Sequence, residues 1–175
     1  MPRDNLLELF DVCDADDRVV SQAPRGEVHA RGWLHRAVHI WVFNSAGDLL
    51  LHRRSATKDE YPLCYTSSAS GHLNAGEDYG PAAERELAEE LGLTGELERL
   101  VKLPAGPETA SEHTVLFRST SDVVPKPDPD EIESIEYLAP AVVTDRMTAT
   151  PEQFSPPFRA LWNWFVSHQN PDASS

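Results

Sequence analysis

Residues 71–93 read GHLNAGEDYGPAAERELAEELGL. In this stretch Glu86, Glu89 and Glu90 are spaced i, i+3 and i+4, which places three carboxylates on one face of a helix. Because like charges so arranged repel one another, the helix needs a counter-charge, most simply a hard divalent cation. The stretch therefore predicts a helix with a metal-binding acidic face.

The ends of this helix can also be read from the sequence. Asp78 or Gly80 can cap its start, and Pro81 suits the first turn, where a missing N–H is harmless. Gly92 follows closely enough to end it. An apolar stripe at four-residue spacing should pack on the protein body, and it consists of Ala83, Leu87 and Leu91.

The whole pattern resembles the Nudix box, in which a glycine and a glutamate six positions later precede Arg-Glu-apolar-x-Glu-Glu-x-Gly-apolar. Every required position is filled. A solvated acidic helix is the simpler alternative, but a chance match is rare, roughly one in ten million for a chain of this size. The resemblance implies a Nudix fold, an α/β class architecture in which a mixed β-sheet lies inside an α/β/α sandwich.

The resemblance also implies roles for single residues. Arg85 would pair with Glu77 and hold the loop before the helix, a structural role. The ligands of Mg²⁺ or Mn²⁺ would be the backbone carbonyl of Gly71 and the carboxylates of Glu86, Glu89 and Glu90.

A closer resemblance extends beyond the box. The segments VFNSAGDLLLHRRSATK (42–58), YPLCYTSSASGH (61–72) and ATPEQFSPPF (149–158) resemble type 1 isopentenyl-diphosphate isomerase, itself built on the Nudix fold. Those isomerases use a cysteine before the Gly-His pair, a metal held by three histidines and two glutamates, and an aromatic cover over the carbocation.

The isomerase metal ligands are partly present. Glu112 matches one of the two glutamates, whereas the other position falls on Ala110. With the matching histidines, His29, His35 and His72, it would form a second metal site of nitrogen and oxygen donors, suited to Zn²⁺ or Mn²⁺. Spacing alone does not show that these residues converge, and His39 is an alternative on the strand of His35.

The isomerase acid and its aromatic cover are absent. The cysteine position holds Ser70, Cys64 lies six residues too early, and the cover falls on Pro157. A serine hydroxyl is a far poorer proton donor than a thiol with a pKa of about 8.5. The resemblance therefore favours an isomerase-like body with hydrolase machinery.

The general base stays open at this point. Glu86, Glu89 and Glu112 are the catalytic candidates, and the DEIESIEYL segment adds Glu131 or Glu133. For the substrate diphosphate, the resemblance points to Arg54 and Lys58, although strand-end charges that aid solubility are an equal alternative.

Composition sets the broader limits. The chain has 175 residues, 29 acidic against 15 basic side chains, and a net charge of −14, which disfavours nucleic acid polymers as partners. The two cysteines form no disulfide pattern, and the sequence shows neither a signal peptide nor a long apolar run. These features predict a soluble cytoplasmic protein without membrane contact. We expect one Nudix domain over residues 1–168 and a flexible tail over 169–175.

The remaining chain reads as strands around this helix. Strands are expected at 5–12, 18–22, 35–43, 49–53, 96–103, 113–118 and 133–138, with the first hairpin turning at Asp14–Asp17. Residues 158–166 should form a terminal helix whose aromatic face packs in the core or serves a homodimer interface.

The predicted function is Mg²⁺- or Mn²⁺-dependent hydrolysis of the diphosphate linkage in a nucleoside diphosphate derivative or related small organic diphosphate. The alternatives are an isopentenyl-diphosphate isomerase-like enzyme and a non-catalytic nucleotide-sensing Nudix module. The sequence does not reveal the group attached to the diphosphate, and a stacking role for Trp41 or Tyr61 stays open.

Overall fold

The computed structural model describes residues 4–169, which form nine β-strands and four α-helices. The strands are β1 (Leu9–Cys13), β2 (Val19–Pro24), β3 (His35–Phe43), β4 (Leu49–Arg54), β5 (Tyr65–Thr66), β6 (Ala69–His72), β7 (Glu98–Leu103), β8 (Glu112–Thr120) and β9 (Ile132–Leu138). The helices are α1 (Arg25–Arg31), α2 (Tyr79–Leu91), α3 (Pro140–Ala149) and α4 (Pro156–Gln169). Short 3₁₀ turns occupy Pro107–Thr109 and Pro151–Gln153.

Strand β3 organises the seven-stranded mixed sheet. Along its whole length it runs parallel to β8, from the pair His35–Glu112 to the pair Phe43–Thr120. On its other side it pairs antiparallel with β6 at first and meets β4 only at Phe43. Strand β4 pairs instead with β5 and β9, so the sheet opens between β4 and β6.

Helices cover both faces of this sheet. Because side chains alternate along a strand, Val38, Ile40 and Val42 of β3 point to the face on which α2 lies. Trp41 points to the opposite face, where it packs in an aromatic cluster with side chains of α4. The predicted α/β/α sandwich with a mixed sheet is therefore confirmed.

A separate hairpin of β1 and β2 is fastened to the sheet through its turn. Asp17 in this turn accepts hydrogen bonds from Arg36 Nε (2.6 Å) and Tyr79 Oη (2.8 Å), and its carboxylate also contacts Lys102 Nζ. The hairpin leads directly into α1, so these contacts also fix α1, which carries His29.

Three local predictions differ from the structure. The first strand begins at Leu9 instead of residue 5, because Asn5 starts a turn in which its Oδ1 accepts from Leu7 N at 3.1 Å. Helix α3 and the short strands β5 and β6 were not predicted. Of the predicted tail, only Gln169 belongs to the described residues, and it ends α4.

Candidate active site

A cleft of about 400 Å³ lies at the opening between β4 and β6. Nine acidic and four basic side chains line it. A cleft with this excess of carboxylates repels anionic substrates unless cations offset the field. Its walls come from α2, β6, the loop 55–64 and the N-terminal residues from Asp4 onward.

Two glutamates of α2 lie against β6, of which Glu90 is buried and Glu86 half-buried. The carboxylate of Glu86 approaches Gly71 so closely that a Cβ atom at this glycine would lie 2.2 Å from it. Glu90 Oε2 lies 3.3 Å from the backbone N of Ser70. Glu89 stands at the rim of the cleft, and its side chain is 61% exposed. The motif glycine is therefore a packing requirement for the Glu86 carboxylate.

Arg85 ties the loop before α2 to the helix. Its Nε and Nη2 atoms donate to the two oxygens of Glu77, each at 2.9 Å, and Nη2 also donates to the carbonyl of His72 at 3.1 Å. Glu77 in turn accepts from Asn74 N at 2.9 Å. This bidentate pair holds the doubled-back loop, and β6 with it, against α2.

The electrostatic state of the α2 carboxylates suits the binding of a cation. Burial raises the pKa of Glu86 to about 7, and the nearby carboxylates of Glu89 and Glu131 add to this, although Arg85 opposes it. Burial and the charges of Glu86 and Glu131 likewise raise the pKa of Glu90 well above its usual range. Carboxylate oxygens that repel one another in this way are suitable ligands for a hard divalent cation, because the cation would neutralise their charge.

The α2 carboxylates do not surround one point. Arg85 Nη1 draws Glu86 Oε1 to 2.7 Å and Glu89 Oε2 to 3.3 Å, while Glu90 turns inward toward His52, with Oε2 3.7 Å from Nδ1. Within residues 4–169, no group of three ligand-type side chains with donor atoms inside 4.8 Å of one another includes these glutamates. Their donor set fits a cation, but their side chains would have to turn to enclose one.

The predicted histidines do converge. The donor atoms of His29, His35 and His72 lie within 4.8 Å of one another, and their ring centroids are 5.0–5.2 Å apart. Glu112 Oε1 lies 2.9 Å from His72 Nε2 and 3.9 Å from His35 Nε2. These residues, from α1, β3, β6 and β8, are far apart in sequence and form one cluster only in the folded chain.

Two buried nitrogens in this cluster lack partners. His35 Nδ1 lies 2.8 Å from the carbonyl of Trp33 and donates to it, so that Nε2 carries a lone pair. His29 Nδ1 faces Asp59 at 3.4 Å in the same manner. Both Nε2 atoms are buried with no hydrogen-bond partner among the described residues. Burial lowers the pKa of His35 to about 4, which keeps the imidazole in its neutral, ligand form. The cluster fits a transition-metal ion.

Sequence reasoning missed a further carboxylate of this cluster. Glu60 groups with His72 and Glu112 within 4.8 Å, and its Oε2 lies 3.8 Å from His29 Nε2. Ala110, the position expected to carry a second glutamate, contributes none. Glu60 sits in the irregular loop 55–64, where no periodic pattern marked it.

The cationic side of the cleft contains one residue that the sequence did not reveal. Arg54 and Lys58, the predicted diphosphate-binding residues, line the cleft, and Arg25 at the start of α1 joins them. Asp4 binds two of these cations, with its Oδ1 3.1 Å from Arg25 Nη2 and 2.5 Å from Lys58 Nζ. This buried carboxylate occupies a position between cations that would suit a phosphate oxygen.

The family-model comparison matches the NUDIX domain over residues 33–158. The chain belongs to the NUDIX family. It is 47% identical over 88 residues to an uncharacterised Nudix hydrolase of Streptomyces coelicolor, an alignment that covers 50% of this chain and only 49% of that relative. It is 33% identical to an isopentenyl-diphosphate Delta-isomerase of Serratia proteamaculans, over 85% of this chain and 86% of the isomerase.

A solved structure agrees with this assignment. The Deinococcus radiodurans protein DR0079 superposes with a TM-score of 0.73 at 30% identity, and the match covers 81% of this chain and 90% of that one. The relatives and the intact motif identify the chain as a Nudix-type pyrophosphohydrolase, of a family that generally depends on divalent metals.

The candidates for the general base occupy different positions in the folded chain. Glu133 is exposed on β9 and does not line the cleft. Glu112 also lines the cleft, but its Oε1 lies 2.9 Å from His72 Nε2 in the histidine cluster. Glu131 lines the cleft, and its Oε2 accepts from Lys58 Nζ at 2.7 Å. Glu86 and Glu131 are therefore the candidates that lie beside the proposed metal-binding face.

Five other residues singled out in the sequence also have defined positions. His39 lies outside the histidine cluster, and its Nδ1 is instead 2.7 Å from Ser67 Oγ. Ser70 and Pro157 line the cleft, whereas Trp41 is fully buried in the aromatic core and is not available for stacking. Tyr61 is the aromatic residue at the cleft, where it adopts a left-handed φ of 47°.

Proposed function

We propose that this Nudix protein hydrolyses the diphosphate linkage of a nucleoside diphosphate derivative or a related small organic diphosphate, with Mg²⁺ or Mn²⁺. The observation that carries the proposal is the position of Glu86, Glu89 and Glu90 at the opening between β4 and β6, facing cationic side chains across the same cleft. An anionic substrate needs both sets, one to hold the metal and one to hold phosphate oxygens.

The metal would be held by Glu86, Glu89 and Glu90 together with the carbonyl of Gly71. When bound, it supplies charge neutralisation and a water of lowered pKa for attack on phosphorus. Arg25, Arg54 and Lys58 bind and orient the diphosphate. Arg85 and Glu77 keep the motif loop against α2. Either Glu86 or Glu131 accepts the proton from the attacking water.

The histidine cluster would hold a second metal ion. The proposed ligands are His29, His35, His72 and Glu112, with Glu60 added by its position in the structure. A closed set of imidazoles and carboxylates suits Zn²⁺ or Mn²⁺. The ion would join α1 to the sheet and thereby complete the wall of the cleft.

An isomerase activity is the second candidate, and the convergence of the histidines with Glu112 is the observation that favours it. The same cluster occurs by resemblance in isopentenyl-diphosphate isomerases. Ser70 opposes this reading, because protonation of an alkene needs a stronger acid than a hydroxyl group.

One assay separates hydrolase, isomerase and non-catalytic sensor. The protein, with Mg²⁺ or Mn²⁺, is incubated with a panel of nucleoside diphosphate sugars, dinucleotides and isopentenyl diphosphate, and phosphate-bearing products are measured by chromatography. Hydrolysis releases phosphate products, isomerisation converts isopentenyl diphosphate without releasing any, and a sensor binds without turnover.

Matched variants test the metal-binding face. Glu89→Gln should lower the hydrolytic rate by about 100-fold. Glu84 is exposed on the same helix and does not line the cleft, so Glu84→Gln should leave the rate unchanged. A Glu89→Gln rate within a few-fold of the parent would remove this glutamate from the mechanism.

The remaining predictions about the whole chain are part of the same proposal. We propose a single Nudix domain over residues 1–168, a cytoplasmic location, no nucleic acid partner and a homodimer. The aromatic face of α4 is not its interface, because Phe158, Trp162 and Phe165 are buried in the core. Among the described residues, no helix has the length and apolar character to cross a membrane.

A further inference from the structure

The cleft has a polar floor beside His39. This residue lines the cleft, although only 4% of its surface is exposed. Hydroxyl groups surround the same floor, and they belong to Thr66, Ser70 and Ser155. A hydrocarbon covering this floor would leave buried polar atoms without partners, at a cost of about 1–3 kcal/mol for each.

A hydrogen-bond chain fixes the tautomer of His39. Trp41 Nε1, which can only donate, binds Ser67 Oγ at 2.8 Å, and the same oxygen lies 2.7 Å from His39 Nδ1. Ser67 is fully buried, and among residues 4–169 its hydroxyl hydrogen has no acceptor other than this nitrogen. The hydroxyl therefore donates to Nδ1, and the ring proton resides on Nε2.

The Nε2–H group is left as a donor toward the cleft. It has no hydrogen-bond partner within the part of the chain that the structure describes. Burial, together with the charges of Arg54 and His52, lowers the pKa of His39 to about 3, so the ring stays neutral near pH 7. Thr66 adds a second donor, because Ser155 Oγ donates to its Oγ1 at 2.9 Å and its own hydrogen has no acceptor among the described residues.

We infer that His39 is a specificity residue whose Nε2–H donates to an acceptor atom on the organic group attached to the diphosphate. The substrate class is accordingly a polar ester, such as a nucleoside or sugar diphosphate, and not a hydrocarbon diphosphate. The inference rests on the proposed function, since it assumes that a diphosphate occupies the cationic side of the cleft. A site built to bind a polar group rejects the analogue that lacks it.

The tautomer is tested without any substrate. A long-range ¹H–¹⁵N correlation spectrum of protein labelled with ¹⁵N-histidine reports which ring nitrogen carries the proton, and His39→Gln assigns the signals. The Nε2–H pattern is expected from pH 6 to 8. An Nδ1–H pattern, or a mixture of both tautomers, overturns the inference whether or not the protein is a hydrolase.

The contact is tested by binding. Calorimetry with Ca²⁺ in place of Mg²⁺ measures the affinity of the parent and of His39→Phe for ADP-ribose and for isopentenyl diphosphate. The phenyl ring keeps the volume but removes the donor, so ADP-ribose should bind about 10-fold more weakly, equivalent to about 1.4 kcal/mol. Isopentenyl diphosphate should instead bind at least about five-fold more tightly, because the phenyl ring removes a buried donor that its hydrocarbon chain would leave without a partner.

The other outcomes overturn the assignment. Equal weakening of both ligands would place His39 at the diphosphate, and no change in either would remove it from the site. A parent protein that prefers isopentenyl diphosphate would contradict the substrate class. His39→Gln, which keeps an amide donor near the Nε2 position, should bind ADP-ribose within about three-fold of the parent and serves if the phenylalanine variant does not fold. Binding of ADP-ribose without hydrolysis in Mg²⁺ would refute the proposed function alone.

Discussion

A methyl group on Gly71 would collide with the Glu86 carboxylate. The added Cβ would lie 2.2 Å from this group, whereas non-bonded carbon atoms settle about 3.5 Å apart, so the carboxylate would have to move by more than about 1 Å. The carboxylate is the end of a flexible side chain and can rotate away. We therefore expect Gly71→Ala to displace a catalytic group while the fold stays intact.

The expected magnitudes follow from this geometry. A displacement of about 1 Å in a catalytic group lowers the rate by about 100-fold, or about 2.7 kcal/mol in activation free energy. The free energy of unfolding should fall by about 1 kcal/mol, the low end for overpacking, because Glu86 yields without moving the backbone. Rotation would also break the 2.7 Å bond from Arg85 Nη1.

The assay measures initial hydrolysis rates across a Mg²⁺ titration and thermal unfolding for a small set of variants. Gly80 is the matched control, because no atom of residues 4–169 lies within 4 Å of a Cβ at that position, so Gly80→Ala should leave the rate unchanged. Glu86→Ala and the double variant complete a mutant cycle. The three atoms nearest to the added Cβ all belong to the Glu86 carboxylate, so once this group is gone the double variant should match Glu86→Ala within about two-fold.

Two results would refute the reasoning. A Gly71→Ala rate above one third of the parent would show that Glu86 can be moved at no cost to catalysis. A double variant slower than Glu86→Ala by another factor of ten would show that Gly71 acts through some other contact.

Three further outcomes are expected. His35→Ala should abolish retention of a transition metal by untagged protein, measured by elemental analysis, whereas the exposed His168→Ala should retain it; equal metal content in both would contradict a histidine centre. Burial raises the pKa of Asp17, but hydrogen bonds from its three partners outweigh this and lower it from 3.8 to about 2. A carboxyl group whose pKa is lowered by folding stabilises the fold above pH 3.8, and this contribution is lost as the pH falls toward 2. In denaturant titrations, Asp17→Asn should therefore lower the free energy of unfolding by about 1–2 kcal/mol at pH 7, after allowance for solvent screening, and by almost nothing at pH 2. Asp4→Asn should release Lys58 from its carboxylate and lower KM for diphosphates about two- to five-fold, and an unchanged KM would show that Asp4 does not compete with phosphate.

The sequence predicted the elements whose determinants are contiguous. Helix α2 spans Tyr79–Leu91, and its apolar stripe and terminal glycine lie within one short segment. Asp78 holds the N-cap position, but its side chain makes no capping hydrogen bond. Strand β3 was predicted with its observed limits, His35–Phe43, because aromatic and β-branched residues dominate it. Helix α3 was missed, since its sequence PAVVTDRMTA carries few strong helix formers and only Val143 is fully buried.

Residues that act only through tertiary contacts were harder to predict. Glu60 lies in an irregular loop, and it joins the histidine cluster because loop 55–64 folds back over the cleft. Arg25 is the first residue of a seven-residue helix, and nothing in the local sequence distinguishes a buried salt-bridge partner of Asp4 from an exposed surface charge. The role proposed for His39 depends on a hydrogen bond to Ser67, which is 28 positions away in the sequence, so local sequence patterns do not reveal it.

The cleft combines groups suited to two different reactions, and the register of β3 against β6 indicates which one is favoured. His39 lies directly opposite Ser70, so a neutral imidazole and a hydroxyl meet where the isomerase resemblance calls for a cysteine. Neither group is a strong acid near pH 7, because burial holds His39 neutral and the hydroxyl does not ionise in this range. A carbocation formed there would face hydrogen-bond donors, which destabilise positive charge. The carboxylates of α2, in contrast, supply oxygen donors for a divalent cation once their side chains turn toward it, and such a cation would activate water for attack on phosphorus. Hydrolysis is therefore the reaction that this arrangement of residues supports.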